Sequence, residues 1–278
     1  MYNTYIVHLQ ANGKSNRTIH EYINYVKQML NYIGKPEKEI TIDDLEDWRS
    51  SITYLSTNSQ RLQIAAVKSY FRFLMQYGVI DTNPAEGMVS PIPKAKEKAC
   101  PKSWMLRAMV ENAPTCRDKA MILMFATTGL RFDELTNIKL SQYLNMEGES
   151  HREITIIGKG SKPRKVYVND ETKAAIDEYL KNRNTDSDIL FASHQGNHIK
   201  NNNFNQALKS IAKKAGIPFW KDVTAHWLRV SFATIKASEN TPLNYIQAAL
   251  GHSSIKTTMR YIKNSQEDIN NIMSKTSF

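Results

Sequence analysis

Residues 78–104, GVIDTNPAEGMVSPIPKAKEKACPKSW, constrain this chain more than any other stretch. Prolines at 84, 91, 93 and 101 remove backbone donors and fix φ. No apolar residue recurs at helical or strand spacing between them, so neither a helix nor a strand of a sheet can run through. Periodic segments lie on both sides. The 278 residues therefore read as two domains, 1–84 and 102–278, joined by a linker over 85–101.

The first part carries a helical repeat throughout. Helices are expected over 2–11 and 17–34, the second on Ile19, Tyr22, Ile23, Val26, Met29, Leu30 and Ile33, with Gly34 and Pro36 ending it. Thr41 has the chemistry of an N-cap for a helix over 42–53, with Asp43 and Asp44 in its first turn. A fourth helix over 58–77 is expected to bury Leu62, Ala65, Ala66, Tyr70, Phe73 and Leu74. Its other side carries Arg61, Lys68 and Arg72, a basic stripe that either faces solvent or follows a nucleic-acid backbone.

After the linker the pattern is again helical, over 102–112, 116–129 and 131–138. REITII and KVYV follow, two β-branched strands around the turn GKGSKPR. Further helices are expected over 170–183, 201–215, 224–238, 242–250 and 255–262, and a last one from 265. The fold class is mainly α with one small β-hairpin in the second domain.

Charge narrows the partner. There are 37 Lys and Arg against 27 Asp and Glu, a formal net charge of +10. Residues 1–100 hold 12 basic and 10 acidic side chains and residues 101–278 hold 25 and 17, so the excess sits in the second domain. A polyanion is the natural partner. Cys100 and Cys116 are the only cysteines, too few for a disulfide framework and without metal-ligand spacing. The amino-terminal residues lack the basic start and apolar core of a signal peptide, and no run of about 18 apolar residues occurs, so a soluble protein of the reducing cytoplasm, with no membrane role, is expected.

Chemistry-bearing residues recur where elements end. AHWLRVSFAT places His226 and Arg229 one helical turn apart, where two side chains can reach one small anion. TTGLRFDEL puts Arg131 at a helix start behind a glycine, and GKGSK puts Lys159 at a hairpin tip. In LGHSSIKTTMRYI, His252 precedes Tyr261 by nine residues. Taken singly, each has a plainer explanation: an Arg131–Glu134 pair, a solvated turn lysine, a capping histidine, one tyrosine of 13.

In this order, with the flanks TGLR, GKGSK, HWLR and LGHSSIKTT, the chain resembles the tyrosine recombinase (phage integrase) family, in particular its compact Xer-like members. The resemblance covers essentially the whole chain. It implies a two-domain DNA clamp, a helical core-binding (SAM-like) domain plus a tyrosine-recombinase catalytic domain with a C-terminal exchange helix.

The residue types fit strand cutting without metal, ATP or any other cofactor. Arg131 and Arg229 are forked, permanently charged phosphate ligands, and His226 and His252 can donate hydrogen bonds and exchange protons near neutral pH. Tyr261 is the nucleophile, in line at phosphorus. The resemblance implies a covalent 3′-phosphotyrosine and assigns Lys159 as the general acid for the 5′ oxygen. Arg61, Lys68, Arg72, Lys162 and Arg164 are the expected DNA contacts. The tail SQEDINNIMSKTSF offers Ile269, Ile272 and Met273 as one apolar stripe, which in this family commonly docks into a neighbouring protomer. The expected partner is double-stranded DNA with inverted-repeat sites, two such sites being bound by a homo-tetramer. Two other readings explain parts of the pattern: a type IB topoisomerase that relaxes DNA regardless of sequence, and a catalytically silent architectural DNA-binding protein.

Overall fold

The computed structural model describes residues 2–93, 101–158, 163–252 and 254–259. The chain divides into two compact units, Met1–Glu97 and Lys98–Phe278. None of the helices in the described residues is long and apolar enough to cross a membrane.

The first unit is helical: α1 (Tyr2–Ala11), α2 (Asn16–Ile33), a 3-10 turn at Glu37–Glu39, α3 (Ile42–Ser51) and α4 (Thr57–Gln76). Local chemistry sets the boundaries. The Ser15 hydroxyl accepts from the Thr18 N–H to open α2, and Gly34 closes it in the left-handed region at φ 69°. Thr41 and Asp44 form a reciprocal capping box at α3. Tyr5 lies against Tyr70 and Phe73 with ring centroids 5.1 and 5.0 Å away. Its hydroxyl donates to Ser69 Oγ at 3.0 Å, so the buried polar tip is satisfied. Ile80, Ala85 and Met88 join this core, which extends past residue 84.

Helix α4 is rotated from the expected face. Ala66, Tyr70, Phe73 and Leu74 are buried as expected, together with Gln63, Ile64, Val67 and Phe71. Leu62 and Ala65 are exposed instead. The bulky residues Ile64, Val67 and Phe71 outweigh Leu62 and Ala65 in the area removed from water, and that sets the rotation.

The second unit is built around α6 (Cys116–Thr128), in which every residue from Ala120 to Phe125 is buried. A helix apolar all round must be covered all round. Here α5 (Ser103–Glu111), α9 (Asp170–Lys181) and α11 (Ala225–Ser238) pack on it. Strands β1 (Glu153–Ile157) and β2 (Pro163–Tyr167) pair antiparallel, with Glu153 opposite Tyr167 and Ile157 opposite Pro163. Ile154, Ile156 and Val166 turn inward, the alternation expected of a sheet with one buried face. The short helices α7 (Phe132–Thr136), α8 (Leu140–Tyr143) and α13 (Ile255–Met259), together with α10 (Asn201–Lys214) and α12 (Leu243–Leu250), complete the described residues of the unit. The sequence gives no sign of α8. It is held by Leu140 N–H donating to Asp188 O at 2.6 Å, a contact across 48 residues that periodicity cannot register.

Candidate active site

Two helix ends and one buried arginine organise the site. Helix α6 stops at Gly129, which takes the left-handed conformation at φ 64° and donates its N–H to Phe125 O. Nothing larger fits there: a Cβ would stand 2.6 Å from Phe232 Cδ1 and 2.8 Å from Leu250 Cδ2. Helix α12 stops in the same way at Gly251, φ 61°. Carbonyls at helix C-termini lack intrahelical donors and carry partial negative charge. Arg229, 3% exposed on α11, satisfies one at each end, donating from Nη1 to Gly129 O and from Nη2 to Leu250 O, both at 2.6 Å.

Arg131 starts α7, one residue beyond Leu130. Its backbone N–H donates to Glu134 Oε2 and its Nη1 to Glu134 Oε1, both at 2.8 Å, and its Nη2 reaches Gly251 O at 3.2 Å. Glu134 is 9% exposed and also receives Arg164 through two bonds, 3.0 and 2.7 Å, while Arg229 Nη1 stands 3.9 Å from its Oε2. Burial alone would raise the Glu134 pKa. The hydrogen bonds from Arg164, the Arg131 backbone and the Arg131 guanidinium outweigh it and bring the carboxyl down to about 2. Three guanidiniums thus surround one carboxylate, leaving a positive surplus.

His252 follows Gly251. Its Nε2 lies 3.0 Å from Arg229 Nη2 and its Nδ1 2.9 Å from the hydroxyl of Thr258. A guanidinium has only donors, so Nε2 accepts and Nδ1 carries the proton. Burial, then the charges of Arg229, Arg131 and Arg164 and the neighbouring His226, hold the His252 pKa down at about 4.

Of the residues expected from sequence, the structure brings Arg131, Arg229 and His252 together from α7, α11 and the α12–α13 turn. His226 is exposed on α11 one turn before Arg229. Lys159, Lys162 and Tyr261, like the tail helix, lie outside the described residues. Arg164, expected as a DNA contact, has its guanidinium on Glu134 and its Nε donating to Ala249 O at 3.1 Å, turned inward to brace β2 against the site. In the first unit Arg61 and Arg72 are exposed and Lys68 half-buried. Lys68 and Arg72 line one surface depression with His8, Asn12 and Lys14. Sequence reasoning saw Glu134 only as a partner for Arg131. Its position three residues after the helix start was the available signal. The Arg164 contact, 30 residues away, left none.

Residues 103–268 match the phage integrase family, and residues 1–79 match the phage integrase N-terminal SAM-like domain. The chain is similar to tyrosine recombinase XerA of Pyrococcus horikoshii, 31% identical over 268 residues that cover 93% of this chain and 87% of that protein. It is also similar to tyrosine recombinase XerC of Leptospira interrogans serogroup Icterohaemorrhagiae, 29% identical over 94% of this chain and 87% of the relative. Among solved structures, XerA recombinase is 28% identical with a TM-score of 0.56, covering 100% of this chain and 99% of that one. XerH bound to its difH substrate in a pre-cleavage complex shares the fold at 22% identity, with a TM-score of 0.71 over 92% of this chain and 78% of that one.

Proposed function

The chain belongs to the phage integrase family as an Xer-type tyrosine recombinase, a site-specific DNA recombination enzyme, and from that premise we propose how its own residues divide the reaction. The observation that carries the proposal is the convergence of Arg131, Arg229 and His252 on the ends of α6 and α12, with positive charge left over after Glu134 is paired. Arg131, whose side chain keeps about a third of its surface open, and Arg229 bind the non-bridging oxygens of the scissile phosphate. His226 and His252 serve the same phosphate as hydrogen-bond and proton partners. The Tyr261 oxygen attacks phosphorus. The bond from phosphorus to the 5′ oxygen breaks, and Lys159 gives its proton to that leaving oxygen. The 3′-phosphotyrosine keeps the energy of the broken linkage for rejoining.

In this reading the first unit, whose core runs on past residue 84 through Ala85 and Met88, is the core-binding domain, and residues 102–278 are the catalytic domain. Arg61, Lys68, Arg72 and Lys162 meet the backbone; the exposure of Arg61 and Arg72, and the surface depression that Lys68 and Arg72 line, support the first three. Arg164 is assigned to bracing Glu134. Four protomers assemble on two inverted-repeat sites through the tail helix, in the cytoplasm where the DNA lies.

Arg229→Lys tests the division of labour. The lysine keeps the charge but cannot bond Gly129 O, Leu250 O and His252 in one plane. Site binding within about threefold of the unaltered protein, with cleavage reduced by on the order of a hundredfold or more, is the expected result. Cleavage at the unaltered rate would remove Arg229 from the reaction.

A further inference from the structure

Thr258 is 1% exposed and polar, and it lies on α13 three residues before Tyr261 in the chain. A buried hydroxyl stays only where it has a partner, and here the partner is His252 Nδ1 at 2.9 Å. Because Arg229 can only donate to Nε2, the hydroxyl oxygen accepts Nδ1–H in the structure. In that tautomer His252 has no proton on Nε2 to offer an anion. A threonine hydroxyl is both donor and acceptor, so the same contact also supports the opposite tautomer without any movement of heavy atoms.

We propose that Thr258 is a positioning residue that lets His252 exchange tautomers between the DNA-free and DNA-bound states. Before DNA binds, Nδ1–H points to Thr258 and Nε2 accepts from Arg229. When a phosphate takes up the Arg229 donor, a proton leaves Nδ1 to solvent and one is gained at Nε2, with no net change. The Thr258 hydroxyl turns to donate to Nδ1, and Nε2–H points at the phosphate oxygen. The inference rests on the recombinase reading above. It adds a group that acts through His252 and controls which proton that ring presents.

The test uses full-length protein carrying 15N-labelled histidine, with Thr258→Val and Thr258→Ser beside it. In the unaltered sequence the His252 ring signals are expected to show a protonated Nδ1 without DNA, and a protonated Nε2 in the complex of Tyr261→Phe with its site. Thr258→Val keeps the shape and removes the hydroxyl, so its cleavage of saturating nicked site DNA should fall by about tenfold, the worth of one hydrogen bond. Thr258→Ser should recover to within about threefold. The same tautomer in both states, or cleavage by Thr258→Val at the unaltered rate, overturns the proposal. Equal losses in Val and Ser, with unfolding temperatures lowered together, reduce Thr258 to packing and also overturn it. Absence of any covalent adduct with the unaltered protein overturns the recombinase reading instead.

Discussion

A buried arginine is stable where its donors find acceptors, and Arg229 finds the carbonyls of Gly129 and Leu250, His252 Nε2 and the field of Glu134. Glu134 is the counter-charge of the whole group. Its folded pKa near 2 lies below the ordinary 4.5, so its contribution to stability is fully present above pH 4.5 and disappears as pH falls through 2. The shift corresponds to about 3 kcal/mol. Glu134→Gln should therefore lower stability in urea by about that much at pH 7, with the difference shrinking between pH 4.5 and 2. A constant difference across that window would mean that packing, not charge, makes Glu134 matter. His252 has linkage of the same sign at a higher pH. Its lowered pKa means the folded state resists protonation, so it disfavours folding as pH drops from 6.5 toward 4. In DNA-free protein its ring signals should show no titration between pH 8 and about 5, and a midpoint near 6.5 would contradict the crowded-arginine environment.

At the level of elements, the site depends on how α6 and α12 end. Gly129→Ala places a methyl against Phe232 and Leu250 and forces a left-handed alanine. We expect a loss of about 2–3 kcal/mol in thermal unfolding, from backbone strain plus overpacking. Cleavage should fall further than binding, because Gly129 O is the seat of Arg229. Unchanged cleavage would show that Arg229 does not need that carbonyl. Much of this level was legible in the sequence. The TGLR, HWLR and LGH segments announced helix ends with charged residues beside them, and the helices of both units fall close to their expected limits. Contacts that span long stretches of chain were not legible: Arg164 on Glu134, Leu140 on Asp188, and the rotation of α4 that leaves Ala65 outside. The first two are decided by partners that a local pattern does not contain, and the third by the summed bulk of Ile64, Val67 and Phe71 on a neighbouring face of the same helix.

For the whole molecule the governing quantity is charge, +10 over 278 residues, and its use on a polyanion. If Arg61, Lys68 and Arg72 each neutralise one phosphate, changing each to Gln should flatten the dependence of log affinity on log salt by about one unit. An unchanged slope would return the stripe to solvent. Removing residues 266–278 should abolish cooperative occupation of two inverted half-sites in a gel-shift titration while leaving single-site affinity in place, and cooperativity that survives would contradict assembly through the tail. These measurements concern grip and assembly; the chemistry itself is a cut made by bonding the protein to DNA. It is tested most directly by selecting the genomic fragments that Tyr261→Phe binds, nicking them near the bound site, and incubating them with the unaltered protein under denaturing analysis. A protein–DNA adduct that resists denaturant should form with the unaltered protein and be absent with Tyr261→Phe; specific binding with no adduct, or an adduct that persists in Tyr261→Phe, would rule out Tyr261 as the covalent nucleophile.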